Sequence, residues 1–177
     1  LKASIGKAGV IRDWNHDGYI DSHVERPGEN PEGSQLLASW HLDQPCRQPN
    51  GTPPWDVITG IGFKAIPLYE GPNCKVSQHL VKGLPLRVSA LRSLGAYANI
   101  FSIESFMDEL ANLAGVDPLE IRLNHLSNDS RARDVLLAVS RTANGGQQGE
   151  REGLGRGLGF ARYENQKSYV AVVGDVE

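Results

Sequence analysis

An arginine and a glycine stand where a strand-like run gives way to a long amphipathic segment, in "LRVSALRSLGAYANIF". Arg92 carries a fixed positive charge, and Gly95 lets a ligand approach the backbone closely. An ordinary helix start would use Ser, Asp or Pro and would not need an arginine just before it. An arginine beside exposed backbone N–H groups at a strand-to-helix turn is suited to bind an anion. The junction therefore predicts a site for an anionic ligand.

A second stretch, residues 13–21, copies the first nine positions of a calcium-binding EF-hand loop, including the glycine at Gly18. Asp13, Asn15 and Asp17 would supply the first ligands. Position twelve is Val24, where a bidentate glutamate is required, and the preceding residues lack the pattern of an amphipathic helix. We therefore expect a solvated turn between strands at this position rather than a calcium site.

The glycine-rich run "GLGRGLGF" and the histidines and cysteines suggest other chemistry but fail on spacing. Its glycines, which include Gly153, recur every second residue and precede a strand, whereas a dinucleotide loop needs G-x-G-x-x-G and a helix. They indicate a thin strand or bulge against which another backbone packs closely. The five histidines form no i, i+4 pair, and Cys46 and Cys74 show no paired spacing. The sequence thus predicts no metal ligands and no catalytic nucleophile in a recognisable elbow.

Composition narrows the class of protein. The 177 residues are 40% hydrophobic and 22% charged, which fits a globular chain with a real core. A net charge of −3 without basic runs argues against nucleic acid as a partner. No apolar run is long enough to span a bilayer, and no targeting segment is recognised. The sequence opens on "LKASIGK" and stops inside the strand-like "SYVAVVGDVE", so we expect a piece of a larger protein.

The chain divides into regions of different pattern. Residues 1–25 alternate polar and apolar positions and predict antiparallel strands; residues 26–59 are rich in Pro and Gly and predict an irregular segment with one short helix from Ser34 to His41. Residues 60–95 contain the strand-like "NCKVSQHLV" and "LPLRVSAL", and residues 153–177 read as two strands around Glu164-Asn165. With helices over residues 96–142, the prediction is a mixed α/β (α+β) fold, antiparallel strands with about three helices packed on them.

Three helices are predicted between residues 96 and 142. The first ends at Gly115 and has one apolar face at three- and four-residue steps, formed by Ile100, Ile103, Met107, Leu110 and Ala114. The second opens on "DPLE", which supplies an N-cap, a proline at the first helical position and an acidic residue, and it runs to about Leu126. The third runs from Ser130 to about Thr142, with an inward side formed by Val135, Leu136 and Val139.

The segment "PLRVSALRSLGAYANIFSIESFMDELANLAGVDPLEIRLNHL" resembles the molybdopterin-binding large subunit of the xanthine dehydrogenase and aldehyde oxidase family, in particular its bacterial isoquinoline and nicotinate-type branch. That family carries an arginine, two residues and a glycine, followed by a helix with "ESFMDELA", a "G-x-D-P" turn and an "E-x-R" helix. "DWNHD", "RPG", "AIPLY" and "GRGLGFARY" look like phrases of the same branch in the same order, so the resemblance covers nearly the whole chain. The family segment that corresponds to residues 13–21 is a strand, which argues further against a calcium loop.

The resemblance implies a molybdenum–pterin cofactor that oxidises an N-heterocyclic aromatic or an aldehyde with oxygen derived from water. Carried over by position, Ala90, Leu91 and Arg92 would line the cofactor site, with Arg92 in direct contact with the cofactor. Leu94 falls where purine-oxidising relatives place an aromatic residue that stacks on the substrate, so purine specificity is not expected. A small residue that merely opens the helix is an equal alternative to a functional role for Gly95.

The resemblance also implies what the 177 residues lack. The family's glycine-rich pterin motif and the late segment with the glutamate general base are not found in the sequence. We therefore expect the chain to hold one wall of the site, to carry no catalytic residue and to be inactive alone. Its implied partners are the remainder of the large subunit, an iron–sulfur small subunit that carries the clusters, and a small N-heterocycle or aldehyde, in a bacterial cytoplasm or periplasm. The alternative is a stand-alone binding or scaffold module that kept the fold without the chemistry.

Overall fold

The computed structural model describes residues 1–21, 37–45, 62–82, 84, 86, 91–144, 153–163 and 167–177. Within these residues the chain forms a mixed α+β fold with three helices, as predicted. In chain order its elements are β1 (Lys2–Ile5), β2 (Ile11–Ile20), β3 (Asn73–Leu80), α1 (Ala96–Ala114), α2 (Pro118–Asn124), α3 (Ser130–Asn144), β4 (Gly155–Tyr163) and β5 (Ser168–Val176). Two short 3-10 helices lie at Lys7–Gly9 and Leu37–His41.

The strands form two small sheets. One has the order β1-β2-β3, and its β1–β2 pair is antiparallel, with Ala3 opposite Trp14. The other is the antiparallel pair β4–β5, which stays in register from Gly155 opposite Val176 to Tyr163 opposite Ser168. The two strands predicted around Glu164-Asn165 are thus confirmed, while the turn between them lies outside the described residues.

The turn predicted at residues 13–21 is wrong, because residues 11–20 form the continuous strand β2. This agrees with the strand that the family resemblance implied. In an extended strand, positions 13, 15 and 17 are spread over about 13 Å, since each residue advances the chain by roughly 3.3 Å. Asp13 instead accepts hydrogen bonds from Ser4 Oγ and from Asn73 Nδ2, the latter at 2.9 Å. These bonds lower the pKa of the Asp13 carboxyl, with the Ser4 bond contributing most. Its oxygens serve the sheet rather than a calcium loop.

The chain separates into two compact units. Unit 1 comprises Leu1–Asn15, Pro67–Lys75 and Ile100–Glu177, and unit 2 comprises His16–Ile66 and Val76–Asn99. The core of unit 1 joins residues from β2, α1, α2, α3 and β4. Its most deeply buried apolar side chains are Ile103, Met107, Ala111, Ile121, Leu126, Ala132, Leu136 and Phe160. Trp14 packs edge-on against Phe106 with the ring centroids 5.4 Å apart.

Helix α1 places its apolar face as the sequence predicted. Ile103, Met107 and Leu110 are buried, and the terminal members of the predicted face are half-buried. The helix ends in a Schellman motif, in which Val116 N–H donates to the Ala111 carbonyl at 3.0 Å. Gly115 has φ of 65°, a left-handed conformation that costs glycine little, so the predicted helix stop is confirmed.

Helices α2 and α3 follow the predicted order with shifted details. The Asp117 carboxylate caps α2 by accepting hydrogen bonds from the N–H groups of Leu119 and Glu120, at 2.8 and 3.0 Å. The helix ends at Asn124, two residues before the predicted end. In α3 the fully buried positions are Ala132 and Leu136, whereas Val135 and Val139, predicted to point inward, are not fully buried.

Some predicted elements fall partly outside the described residues. Of the strand predicted for "LPLRVSAL", only residues 84, 86 and 91 are described, and none of them is in a strand. The helix predicted from Ser34 to His41 is seen as the 3-10 helix Leu37–His41, while residues 22–36 and 46–61 are outside the described part. Among the described helices, none combines the length and the apolar character needed to cross a membrane.

Candidate functional site

The predicted anion site lies on a turn in unit 2 that leads into α1. Leu94 N–H donates to the Leu91 carbonyl at 3.1 Å, and Ala96 N–H donates to the Ser93 carbonyl at 3.0 Å. Leu91 and Arg92 are exposed, whereas Leu94 is half-buried. The structure thus brings Leu91, Arg92 and Leu94 together on one turn. Ala90, the remaining predicted cofactor contact, lies outside the described residues.

This turn contains two consecutive non-glycine residues in the left-handed region. Ser93 has φ of 77° and Leu94 has φ of 52°. For residues with a Cβ this conformation costs about 1–2 kcal/mol each, and such strain clusters at binding and catalytic sites. The sequence pattern pointed to Gly95 as the residue with special backbone freedom, but Gly95 is not in the left-handed region. The unusual backbone sits at the two positions that follow Arg92.

Two buried polar side chains hold a second segment of unit 2, the turn at residues 62–65. Asn99, in the first turn of α1, donates from Nδ2 to the Phe63 carbonyl at 3.0 Å. His16 Nδ1 lies 2.9 Å from the Ala65 carbonyl. Both side chains are buried, and Asn99 N–H also donates to the Gly95 carbonyl at 3.1 Å. The Asn99 bonds anchor the start of α1, and with it the end of the Arg92 turn, to the 62–65 segment.

The sequence pattern did not single out Asn99, and it showed His16 only as one of several scattered histidines. One signal was available: Asn99 is a polar residue next to Ile100, at the edge of the predicted apolar face of a helix. A polar side chain there has to find a hydrogen-bond partner when it is buried. Its partner, 36 positions away in the sequence, could not be identified without the fold.

The turn fits an anionic group in its charge and its exposure. The Arg92 guanidinium is exposed, and no hydrogen-bond or ion-pair partner for it is seen among the described residues. A guanidinium can make two parallel hydrogen bonds to a phosphate or another oxyanion. Within the described ranges, no group of three or more His, Cys, Asp or Glu side chains is placed to hold a metal ion directly. The chemistry available at this turn is therefore binding and orientation of an anion.

A second polar cluster, in unit 1, involves the motif residues Glu104, Asp108 and Arg122. Arg122 is fully buried and uses all five of its N–H donors. Nε donates to Glu104 Oε2 at 3.0 Å, and Nη1 donates to Asp108 Oδ1 at 2.7 Å and to the Pro118 carbonyl at 2.8 Å. Nη2 donates to the carbonyls of Glu104, at 3.0 Å, and Leu158, at 2.9 Å. We call this set of contacts the Arg122 network.

The Arg122 network also closes the edge of β4. Glu104 Oε2 accepts from Phe160 N–H at 3.0 Å, and Glu104 Oε1 accepts from Tyr69 Oη at 2.8 Å. Together with the bond from Arg122 to the Leu158 carbonyl, these side chains bond backbone groups of β4 in place of a neighbouring strand. Burial, followed by the charge of Glu104, raises the pKa of Tyr69 well above its ordinary 10.0, so its hydroxyl stays protonated and donates. The network is structural: it joins α1, α2 and β4.

The glycine-rich strand β4 differs from its predicted environment. Gly155, Gly157 and Gly159 lie in the strand, as expected, but no atom lies within 4 Å of the position a Cβ would take at any of them. The close packing of another backbone predicted there is therefore not seen among the described residues. The same is true of Gly174 in β5, which pairs with Gly157.

Comparison with known proteins identifies the segment that contains the Arg92 turn. Residues 52–126 match the family model described as molybdopterin cofactor-binding domain. One of the two named subunits of nicotinate dehydrogenase from Pseudomonas putida, the second by letter, is 38% identical over 189 aligned residues, which cover 92% of this chain and 16% of that protein.

Two further relatives are more distant. The beta chain of isoquinoline 1-oxidoreductase from Brevundimonas diminuta is 29% identical over 50% of this chain and 11% of that protein. The xanthine dehydrogenase molybdenum-binding subunit of Escherichia coli O157:H7 is 28% identical over 73% of this chain and 15% of that protein. The chain thus spans between about a tenth and a sixth of the length of the curated relatives it matches. No solved structure matches it significantly.

Proposed function

The chain belongs to the molybdopterin cofactor-binding family of molybdenum oxidoreductase subunits, and on that premise we propose that it forms one wall of the cofactor site in a hydroxylase large subunit. The observation that carries the proposal is the turn at residues 91–95. It combines an exposed arginine with two left-handed residues, and it lies inside the segment that matches the family model.

Within this wall we assign different roles to five residues. The Arg92 guanidinium binds an anionic oxygen of the cofactor through two parallel hydrogen bonds. Ala90 and Leu91 line the cofactor, and the exposure of Leu91 leaves its side chain available for that contact. Leu94 lies towards the substrate, where an aliphatic side chain offers no ring to stack on a purine. Asn99 keeps the turn in place through its side-chain bond to the 62–65 segment.

When bound, the molybdenum–pterin group supplies the oxidation of a carbon atom with oxygen derived from water. The residues of this chain supply binding, orientation and positive charge, as proteins generally do around such cofactors. The proposed substrate is an N-heterocyclic aromatic such as nicotinate, or an aldehyde; the names of the relatives support the N-heterocycle. The proposed partners are the remainder of the large subunit and an iron–sulfur small subunit that accepts the electrons. The 177 residues alone are expected to be inactive.

The experiment places Arg92→Lys and Arg92→Ala in a complete large subunit that carries this chain, assembled with its small subunit. Bound molybdenum, the thermal midpoint and hydroxylation of nicotinate are measured on the same preparations. We expect both variants to lose activity and bound molybdenum while the thermal midpoint is preserved. Lysine should not rescue the site, because an ammonium cannot form two parallel bonds to an oxyanion.

Arg141→Ala is the matched control, since Arg141 is an exposed arginine in the last turn of α3. It should leave molybdenum, thermal midpoint and turnover unchanged. Normal turnover in Arg92→Ala would overturn the assignment of Arg92 to the cofactor site. A fall in the thermal midpoint of Arg92→Ala, with activity per bound molybdenum preserved, would instead identify Arg92 as a residue of the fold.

A further inference from the structure

Unit 1 contains an open groove of about 440 Å³ between α1 and the β4–β5 pair. The α1 side presents Ile100 and Phe101, and the floor includes Gly157, Gly159, Val170 and Val172. The exposed surface of the groove is almost entirely apolar. Phe101 is 70% exposed and Val172 is 59% exposed, unusually high fractions for large apolar side chains in one concave patch.

The floor of the groove follows from the register of the two strands. Gly159 pairs with Val172, Gly157 pairs with Gly174, and Ala161 pairs with Val170. Directly opposed residues of an antiparallel pair project from the same face. A row of small residues in β4 therefore lies beside the valines of β5, and together they make a shallow trough. The open space above the glycines lets another backbone approach β4 as closely as a Cβ would otherwise prevent.

The edge of β4 does not offer the same opportunity for binding. The Arg122 network already bonds the Leu158 carbonyl and the Phe160 N–H on the side of β4 that faces α1. A partner that added a strand there would have to displace a buried, fully bonded arginine. The available surface is therefore the apolar face of the pair rather than its α1-side edge, and its ligand must present apolar side chains.

We propose that this groove is the docking site for an apolar segment of the same large subunit, one that lies outside these 177 residues. The inference rests on the proposed function. Its support is that the nicotinate dehydrogenase relative has only 16% of its length matched by this chain, so most of such a protein has no counterpart here. A second copy of the chain fits less well, because one trough cannot fill another. A copy that offered a different surface would form an open-ended chain rather than a closed dimer.

The test uses the Val172→Cys variant of a complete large subunit that carries this chain. The rate of maleimide labelling is read by mass spectrometry on the peptide that contains position 172, in the native protein and in the urea-unfolded one. We expect labelling in the native protein to be more than about tenfold slower, because a covered side chain reacts only through local opening. In the 177-residue chain alone, the introduced cysteine should label as fast as that of a Leu113→Cys control, which lies on α1 outside the groove.

Two results would overturn the docking site. One is labelling of the Val172→Cys variant in its native state at the rate of the unfolded protein. The other is protection of the introduced cysteine in the 177-residue chain together with a doubled mass in solution, which would assign the groove to a second copy. Bound molybdenum is measured on the same preparation to separate the two proposals. Normal molybdenum with an unprotected cysteine at position 172 rejects the groove alone, and a protected cysteine without molybdenum rejects the cofactor assignment alone.

Discussion

Two arginines of the matched segment have opposite environments, and this decides what each can do. Arg92 is exposed and has no partner among the described residues, so its charge is available to a ligand. Arg122 is fully buried, and all five of its donors are used inside unit 1. Both belong to the pattern that carries the family resemblance. The most legible part of that pattern, from Glu104 to Arg122, therefore reports the fold rather than the chemistry.

Replacing Arg122 by methionine should strongly destabilise unit 1. The change leaves the buried Glu104 carboxylate without its charge partner and leaves the Leu158 carbonyl without this donor. Breaking a buried pair in this way costs about 3–5 kcal/mol. The matched control is Arg156→Met, because Arg156 pairs with Asp175 at the surface, with Nε 2.6 Å from Oδ1. Urea unfolding should show a large loss of stability for Arg122→Met and an unchanged midpoint for Arg156→Met; equal midpoints would contradict the structural role of the network.

At the scale of the element, α1 offers a direct test of its register. Leu110→Ala should cost about 2–5 kcal/mol, since Leu110 is only 4% exposed and its removal leaves a cavity in the core. Leu113→Ala should leave the thermal midpoint unchanged, because Leu113 lies on the same helix and is 74% exposed. Thermal unfolding of both variants measures the difference. Equal effects would show that the helix buries a different face.

The helices were predictable because their signals are local. The end of α1 at Gly115 and the start of α2 at Asp117 each depend on residues within one turn. Strand β2 was harder to predict, because the sequence "DWNHDGYID" carries turn-forming residues and glycine at the same time. Pairing with β1 and β3 overrode that local preference. A strand depends on partners that are distant in sequence, and a single sequence does not name them.

At the scale of the whole chain, the candidate site was only partly predictable. The turn with Arg92 and Leu94 was found by its motif, but the left-handed conformation of Ser93 and Leu94 was not, since neither residue type favours it. The bond from Asn99 to Phe63 and the Arg122 network both join residues far apart in the sequence. The sequence pattern identified which residues matter. The fold was needed to separate those available to a ligand from those that hold the structure.

The stability of the chain should respond to pH through two carboxyl groups with opposite signs. Burial raises the pKa of Glu104 above its ordinary 4.5, against the opposing charge of Arg122 and the hydrogen bond from Tyr69. The hydrogen bond from the Ser127 hydroxyl, helped by bonds from Asn128, lowers the pKa of Glu70 below the same value. Above pH 4.5 the folded chain therefore retains more protons on Glu104 than the unfolded chain does. Below pH 4.5 it retains fewer on Glu70.

These two shifts make separate predictions for the free energy of unfolding. The contribution of Glu104 is full below pH 4.5 and is lost as the pH rises through its raised folded pKa, so Glu104→Gln should remove a decline in stability above pH 4.5. The contribution of Glu70 is present above pH 4.5 and is lost as the pH falls through its lowered folded pKa, so Glu70→Gln should flatten the acid side. Urea unfolding from about pH 3 to about pH 7 measures both slopes, and each variant controls for the other because the chemical change is identical. If Glu104→Gln lowers stability at every pH but keeps the wild-type slope above pH 4.5, the raised pKa of Glu104 is rejected while its place in the Arg122 network stands.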